Sequence, residues 1–393
     1  MWRPVPIVNL DLDAPREPEL DRSATSARVE VTRAGQIVGV LESAVADGRW
    51  ESDTVEEAVR RFGGVATSKT AIADELLPSI SVVVPTIAVN PLELKRTLDS
   101  LTSLDYPRVE ILVVDNRRHA ESSLSSLSSD ARVRVLEEPR PGISAARNRG
   151  IEAASGEVVA FTDDDVSVEP TWLRALGNSF VLHPEVEGVG GLVMPRELDT
   201  QPQLWFEQFF GGFSRSFEAS LVSGALTGDS DPMFPYAPGR FGAGCNMAFR
   251  RSSLQRAGGF NLALGTGTLA KGGEDLAMFV ELALGGATLA FEPAALVRHS
   301  HRRSETAFLN QVFGYGVGLT AMYSALVATH PRRLVDLATR IPDGFRLATH
   351  SSSGRSTKVG TPYPRSCRAR QLLGMMYGPA AYARSLAAAR RFS

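Results

Sequence analysis

Apolar and polar positions follow one another in a regular order through the middle of the chain and predict a sheet flanked by helices. Short apolar runs rich in β-branched residues, the pattern of buried strands, lie at residues 80–84, 110–114, 132–136 and 157–161. Segments typical of helices separate them, and Asn90 with Pro91 forms a good helix start. Alternation of strands and helices favours right-handed crossovers. The predicted fold class is therefore α/β with a largely parallel sheet.

The pattern changes on both sides of this region and predicts three parts. Residues 1–69 are expected to form a small separate module, because alternating runs surround Ala34 and Gly35 as in a β-hairpin and Thr54 begins a short helix. Residues 79–305 hold the strand and helix series. Residues 306–393 are expected to form a helical, basic extension.

The extension raises the question of membrane contact. Residues 306–329 lack charges, but they contain Asn310, Gln311 and several glycines, so we expect a buried or surface-lying helix rather than a lipid-facing span. Beyond Pro331 basic residues far outnumber the acidic ones. This part could bind an anionic membrane surface or a lipid-pyrophosphate acceptor, or it could be a solvated tail around residues 351–361. Residues 372–388 predict a terminal amphipathic helix.

Composition narrows the class of protein only a little. The 393 residues carry a net charge of -2, with 43% hydrophobic and 22% charged residues, which is ordinary for a soluble globular protein and does not indicate a nucleic-acid partner. Cys245 and Cys367 form no CxxC pair, so neither a disulfide framework nor a zinc cluster is expected. Residues 1–12 show no secretory pattern. We expect the protein in the cytoplasm or on the cytoplasmic face of the membrane.

The clearest chemical signal is three adjacent carboxylates directly after an apolar run. Asp163, Asp164 and Asp165 would lie at the carboxyl end of a buried strand, the edge at which ligands bind open α/β sheets. In an extended segment Asp163 and Asp165 point one way and Asp164 the other. The pair suits Mg²⁺ or Mn²⁺. A solvated acidic turn or a helix cap is the structural alternative.

Two other polar positions follow predicted strands in the same way. Thr86 and Asp115 each end a strand, so parallel strands would bring them to the edge that carries the three aspartates. A carboxylate such as Asp115 can accept protons from a nucleotide base while the aspartates hold a diphosphate through a metal. Arg147, in the following helix, could reach the nucleotide. An Asx turn is the alternative for Asp115, and the absence of GxGxxG and P-loop motifs disfavours a dehydrogenase or P-loop ATPase.

The second half of the chain supplies candidates for the acceptor side. Asn246 lies in a segment of small residues that allows close backbone approach, and Glu274 and Asp275 begin a predicted helix, where the helix dipole favours carboxylates. Helix capping alone could explain these two acids. His299 and His301 follow an apolar run, and only one of them is expected to face the site.

Taken in order, these short motifs resemble those of family 2 glycosyltransferases. They are residues 81–86, 113–116, 147–150, 163–165 and 273–275, followed by His299. The resemblance covers about residues 79–303. It implies a GT-A fold, a nucleotide-sugar donor with UDP favoured, a divalent metal (Mn²⁺ or Mg²⁺), and inversion at the anomeric carbon.

The resemblance also implies roles for individual residues. Pro85, Thr86 and Asp115 correspond to the edge that binds the base, joined in the donor site by Arg147 and Asp164. Asp163 and Asp165 correspond to the nucleotide and metal ligands of a DxD motif. His299 resembles the metal-binding histidine of the family, with His301 as the alternative. Asp275 matches the general base. Apart from the resemblance, we expect Glu274 and Asn246 to face the sugar or the acceptor.

These assignments predict an enzyme that transfers a sugar to a glycan or a lipid-linked acceptor, in glycan, glycolipid or cell-envelope synthesis. A sugar nucleotidyltransferase uses a similar sheet but would carry a glycine-rich basic loop after the first strand, which residues 85–91 lack. A non-catalytic nucleotide-sugar or glycan-binding protein on a degenerate fold is the third reading. The joint presence of Asp163, Asp165, Asp275 and His299 disfavours it.

Overall fold

The structure is a computed structural model that describes residues 2–391 apart from 17, 52, 66, 68–71, 119–123, 214–215, 224–232, 237–240 and 341–363. Its strands are β1 (Ile7–Asp11), β2 (Ser26–Arg33), β3 (Gln36–Ala46), β4 (Arg49–Trp50), β5 (Ile80–Thr86), β6 (Val109–Asp115), β7 (Val133–Glu137), β8 (Val158–Phe161), β9 (Val166–Val168), β10 (Val186–Pro195), β11 (Ser220–Ser223), β12 (Met247–Arg250) and β13 (Thr288–His299). Its helices are α1 (Thr54–Phe62), α2 (Pro91–Thr102), α3 (Ile143–Ala153), α4 (Trp172–Leu182), α5 (Gln201–Phe210), α6 (Arg251–Ala257), α7 (Glu274–Leu284), α8 (Glu305–Thr329) and α9 (Ser366–Ala389).

The large sheet confirms the α/β fold and adds a mixed half. Its order is β11-β13-β10-β12-β8-β5-β6-β7, with β9 paired to β13. The four predicted strands β5, β6, β7 and β8 are parallel. In the other half β12 runs antiparallel to both β8 and β10, whereas β10 and β13 are parallel. The sheet is thus less uniformly parallel than the sequence pattern predicts.

Helices cover both faces of the sheet, as alternation along β5 requires. Val82 and Val84 are buried with residues of α2 and α4, and Val83 is buried with residues of α3 and α7. Pro85 lies in β5 because β8 pairs only as far as Val83, beyond which the amide hydrogen that proline lacks is not needed. Thr86 is registered beside Asp115, so the strand ends meet at one edge.

The N-terminal module contains more than the predicted hairpin. Its sheet has the order β1-β2-β3-β4, with β1 parallel to β2 and β3 antiparallel to it. Helix α1 begins at Thr54 as predicted, but the Thr54 hydroxyl is within 2.8 Å of the Ser43 hydroxyl and makes no cap. The module is not isolated, because Ile37 packs against Leu192 and Phe291 of the large sheet.

The C-terminal part is a pair of packed helices. Glycines let α8 and α9 approach closely, since a Cβ on Gly316 would overlap the Gln371 carbonyl of α9. In the described part of the chain α8 alone is long and apolar enough to cross a membrane, and 50% of its most apolar window is buried. Residues 351–361, predicted as an alternative solvated tail, lie outside the described residues.

Candidate functional site

The three aspartates lie where the sequence predicts, just beyond β8. Asp163 Oδ1 is 3.4 Å from Arg147 Nη2, and Asp164 accepts the hydroxyl of Thr86. Burial raises the pKa of Asp163 to about 6, against the opposing effect of Arg147. Burial also raises the pKa values of Asp164 and Asp165. Such carboxylates gain free energy from a cation.

Asp165 faces a histidine supplied by the end of β13. His299 Nε2 is 3.4 Å from Asp165 Oδ1, because β9 pairs His299 with Val166, the next residue along. The other ring nitrogen, Nδ1, is 3.1 Å from Nδ1 of His301. Burial lowers the pKa of His299 to about 3, so the ring is neutral at pH 7. His299 therefore faces the aspartates, and His301 lies behind it.

Arg147 is buried at the centre of the site rather than free to reach a nucleotide. Its side chain is 1% exposed, with Nη1 donating to Glu274 Oε1 at 2.7 Å and Nη2 to the Gly244 carbonyl at 3.1 Å. Glu274 is therefore a partner of Arg147, which departs from its predicted acceptor role. Burial, with Asp275 adding to it, raises the pKa of Glu274. Helix α3 places Arg147, and the hydroxyl of Ser144 near the start of this helix donates to the Leu264 carbonyl.

Asp275 reaches the same cluster through a backbone turn. Its Oδ2 accepts the amide hydrogen of Gly244 at 2.8 Å, and its Oδ1 accepts that of Leu276 at 2.8 Å. Gly244 thus contacts Arg147 through its carbonyl and Asp275 through its amide. The carboxylate lies half-buried in the first turn of α7. The structure therefore joins the aspartates after β8 to Asp275.

The predicted nucleotide edge is formed by the ends of β5 and β6. Pro85 and Thr86 end β5, and the carboxylate of buried Asp115 beside them accepts hydrogen bonds from the Arg117 amide at 3.1 Å and from its guanidinium at 2.8 and 2.6 Å. The amide contact is the Asx turn expected as the alternative. Burial alone would raise the pKa of Asp115, but Arg117 outweighs it and holds that pKa below the usual value.

Asn246 does not reach the site, and the prediction that it contacts sugar is not supported. Its Oδ1 accepts the indole hydrogen of Trp172 at 2.8 Å, and its Nδ2 donates to the carbonyls of Leu192 and Ala295 at 2.9 and 2.7 Å. The side chain is fully buried. These bonds hold β10, β13 and α4 together, so Asn246 has a structural role.

The donor set fits a divalent ion completed by substrate oxygens. Within the described ranges, no three or more His, Cys, Asp or Glu side chains are gathered into a ready metal site, because Asp163 leans toward Arg147 while Asp165 faces His299. Ions such as Mg²⁺ are often held by one or two carboxylates plus substrate phosphates. Imidazole nitrogen beside carboxylate also suits transition metals such as Mn²⁺.

Sequence reasoning missed two charged residues, one beside Asp165 and one behind the histidines. Arg302 Nη1 lies 3.6 Å from Asp165 Oδ2, and its side chain is 53% exposed. Glu207, on α5, accepts from His301 Nε2 at 2.9 Å. Arg302 lies three residues after the candidate ligand His299, and this closeness in sequence is a local signal that could have indicated it. Nothing in the local pattern around Glu207 indicates a role.

Comparison with known proteins identifies the domain. Residues 81–258 match the family described as glycosyl transferase family 2. The chain is 28% identical over 193 residues to glucosyl-dolichyl phosphate glucuronosyltransferase of Haloferax volcanii, covering 47% of this chain and 57% of the relative. It is 27% identical over 259 residues to pre-mycofactocin glycosyltransferase of Mycobacterium tuberculosis, covering 66% and 49%. It is 31% identical over 222 residues to succinoglycan biosynthesis protein ExoM of Rhizobium meliloti, covering 52% and 62%.

The matches do not span the relatives completely. The chain covers 49 to 62% of the length of these three proteins. Among solved structures, the mannosyltransferase PcManGT from Pyrobaculum calidifontis in complex with GDP-Man and Mn²⁺ aligns with a TM-score of 0.47 and 18% identity, over 84% of this chain and 79% of that one. Residues 81–258 of the chain are therefore similar to the enzymes of glycosyl transferase family 2.

Proposed function

We propose that the protein transfers a sugar from a nucleoside-diphosphate sugar, with UDP favoured, to a hydroxyl group of a glycan or lipid-linked acceptor, with inversion at the anomeric carbon. The product would be a glycan, a glycolipid or another cell-envelope component. One observation carries this proposal: Arg147 and Gly244 join Asp163 to Asp275 at the strand ends, so anionic groups suited to a metal and diphosphate stand beside a half-buried carboxylate.

The donor would lie along the ends of β5, β6 and β8. Asp115 is kept ionised by Arg117, and its three hydrogen bonds leave acceptor capacity for the base, since a carboxylate offers about four lone-pair sites. Asp164 and Thr86 form the adjoining wall through their hydrogen bond. Asp165 and His299 would hold Mn²⁺ or Mg²⁺. The bound ion would neutralise negative charge on the departing diphosphate.

Asp275 would act as the general base. Each of its carboxylate oxygens accepts one backbone amide hydrogen, which fixes the orientation and leaves a second lone pair on each oxygen for a proton. As the carboxylate takes the proton from the acceptor hydroxyl, that oxygen bonds to the anomeric carbon. The bond from this carbon to the diphosphate breaks on the opposite face, which inverts the centre.

Turnover and donor binding test this assignment separately. We expect Asp275→Asn to lower turnover by about 100-fold or more, while Asp165→Ala abolishes the Mn²⁺-dependent thermal stabilisation by UDP, GDP or dTDP. Asp275→Asn should keep that stabilisation. Unchanged turnover of Asp275→Asn would remove it as the base. Release of pyrophosphate from a nucleoside triphosphate and a sugar 1-phosphate would identify a nucleotidyltransferase. Donor binding without transfer would identify a binding protein.

We also propose that α9 attaches the enzyme to an anionic membrane on the cytoplasmic side. Leu372, Leu373 and Met376 are 59%, 53% and 72% exposed, and Arg368 and Arg370 lie on the preceding turn. An exposed apolar patch beside basic residues suits an anionic lipid surface.

Flotation on phosphatidylserine-containing vesicles tests the attachment. We expect Leu372→Ser with Met376→Ser to lose flotation. Leu92→Ser, which changes an equally exposed leucine (69%) on α2, should not. Equal flotation of the wild type and both variants would refute the membrane contact. Equal flotation of the protein on vesicles that lack anionic lipid would also refute it.

A further inference from the structure

A buried chain of side chains runs from the N-terminal module to the candidate metal site. Arg28 Nη2 of β2 is 2.8 Å from Glu207 Oε2, and Glu207 Oε1 is 2.9 Å from His301 Nε2. His301 Nδ1 is 3.1 Å from His299 Nδ1, and His299 Nε2 faces Asp165. The side chains of Arg28, Glu207, His301 and His299 are only 2 to 7% exposed.

The hydrogen bonds of this chain have a direction. A carboxylate only accepts hydrogen bonds, so Glu207 takes the hydrogen of His301 Nε2. When each imidazole ring carries one hydrogen, Nδ1 of His301 is then an acceptor. That nitrogen takes the hydrogen of His299 Nδ1, which leaves a lone pair on His299 Nε2. Two acceptors, this nitrogen and Asp165 Oδ1, then face each other at 3.4 Å, an arrangement that a cation would relieve.

We infer that the N-terminal module holds His299 in its metal-binding form through Arg28, Glu207 and His301, an inference that rests on the proposed donor site. These are positioning residues, since none of them faces the aspartates. A hydrogen bond to the far nitrogen of a metal-binding histidine commonly fixes its tautomer and ring orientation. This row of side chains gives the N-terminal module a role in the chemistry of the domain that carries the three aspartates.

Aromatic rings enclose the two histidines and exclude water from the side chains that link Arg28 to His299. The ring of Phe206 is 4.5 Å from that of His301, and the ring of Phe213 is 4.9 Å from that of His299, centroid to centroid. Hydrogen bonds are stronger in such a low-dielectric setting. A side chain on Gly212 would also collide with the Glu207 carboxylate, so the turn after α5 closes over it.

A second ion pair at the same interface provides a matched control. Glu30 lies two residues from Arg28 on the same face of β2, and its carboxylate is 3.0 and 2.8 Å from the guanidinium of Arg298. Arg298 also donates to Glu169 at 2.7 Å, so it keeps a partner if Glu30 is changed. Glu30→Gln therefore disturbs the same interface without touching the chain to His299.

Nitrogen NMR of the metal-free, ¹⁵N-histidine-labelled full chain tests the inference directly. Long-range ¹H–¹⁵N correlations distinguish the two imidazole tautomers, and His299→Gln and His301→Gln assign the signals. We expect hydrogen on Nδ1 of His299 and on Nε2 of His301. Hydrogen on Nε2 of His299 in the wild type would overturn the inference, whether or not any variant folds.

Mn²⁺ binding then tests the contribution of the module. Arg28→Met removes the partner that holds the Glu207 carboxylate against His301, so we expect His299 to lose its single tautomer and the Mn²⁺ dissociation constant to rise about tenfold or more. Glu30→Gln should leave both unchanged. Equal behaviour of the two variants would refute the role of Arg28. If the wild type shows the predicted tautomers but binds no Mn²⁺, the metal site of the proposed function is refuted. The inference then fails with it.

Discussion

At the scale of single residues, Gly244 is the position on which the site geometry depends most. A Cβ there would stand 2.7 Å from Arg147 Nη2 and 3.0 Å from Asp275 Oδ2. Gly244→Ala should therefore push Asp275, the proposed general base, away from the proposed donor site and lower turnover at least tenfold, because small misplacements of catalytic groups are costly. Overpacking should also lower the free energy of unfolding by about 1–3 kcal/mol. Steady-state kinetics and urea unfolding measure the two effects.

Gly272 provides the control for this prediction. It belongs to the loop before α7, and a Cβ there would meet nothing closer than the Gly318 Cα at 3.9 Å. Gly272→Ala should keep both turnover and stability near those of the wild type. A loss of activity equal to that of Gly244→Ala would show that the loop as a whole, rather than the contact with Arg147 and Asp275, controls the rate.

Asp115 gives a prediction about pH. Since Arg117 holds the pKa of Asp115 below 3.8 in the folded protein, the ionised carboxylate stabilises the fold above that value, and the stabilisation is lost as pH falls through the folded-state pKa. Asp115→Asn should therefore be less stable than the wild type at pH 7, with a difference that shrinks below about pH 4. Urea unfolding between pH 3 and 7 measures it, and a difference independent of pH would contradict the prediction.

The same residues show how far sequence reasoning reaches at a site. Asp163, Asp165 and Asp275 could be found because strand ends and helix starts are local features that fix where a side chain stands. The predicted sugar contact of Asn246 is not supported. A polar residue among small ones suggests a ligand contact, but the three partners of Asn246 come from β10, β13 and α4, far away in sequence. Long-range hydrogen bonds of this kind leave no local pattern.

At the scale of elements, the contact between α8 and α9 is set by glycines. A Cβ on Gly316 would overlap the backbone of α9, whereas one on Gly314, two residues earlier, would stand 3.8 Å from the Lys271 side chain. Gly316→Ala should lower the free energy of unfolding by about 1–3 kcal/mol. Gly314→Ala should raise it by up to about 1 kcal/mol through helix propensity. Thermal unfolding compares them, and similar effects would refute close packing of the helices.

Element prediction succeeded where the hydrophobic pattern is continuous. The strands β5 to β8 are short apolar runs, and their parallel order follows from the alternation with helices. Strand β12 inserts antiparallel between β8 and β10, and its residues 247–250 give no local hint of that partner choice. Direction within a sheet depends on the whole path of the chain, which periodicity does not encode.

At the scale of the whole molecule, the two sheets are joined by apolar and charged contacts. Ile37 is 4% exposed against Leu192, Met194 and Phe291 of the large sheet. Beside it, Arg28 and Glu30 make ion pairs with Glu207 and Arg298. Alternation along β2 and β3 predicts a hairpin with two distinct faces, but it cannot show that the second face is covered by another domain.

This contact predicts that the module and the catalytic domain unfold together. Ile37→Ala removes packing between the sheets, and Val38→Ala removes packing inside the module, where Val38 is 3% exposed. Each should shift one common urea transition, Ile37→Ala by about 2 kcal/mol or more. Hydrogen exchange followed by mass spectrometry can report residues 26–46 and 186–195 separately. Two independent units would give a different result. The amides of residues 26–46 would then exchange earlier than those of residues 186–195 in Val38→Ala, and Ile37→Ala would not change the exchange of residues 186–195.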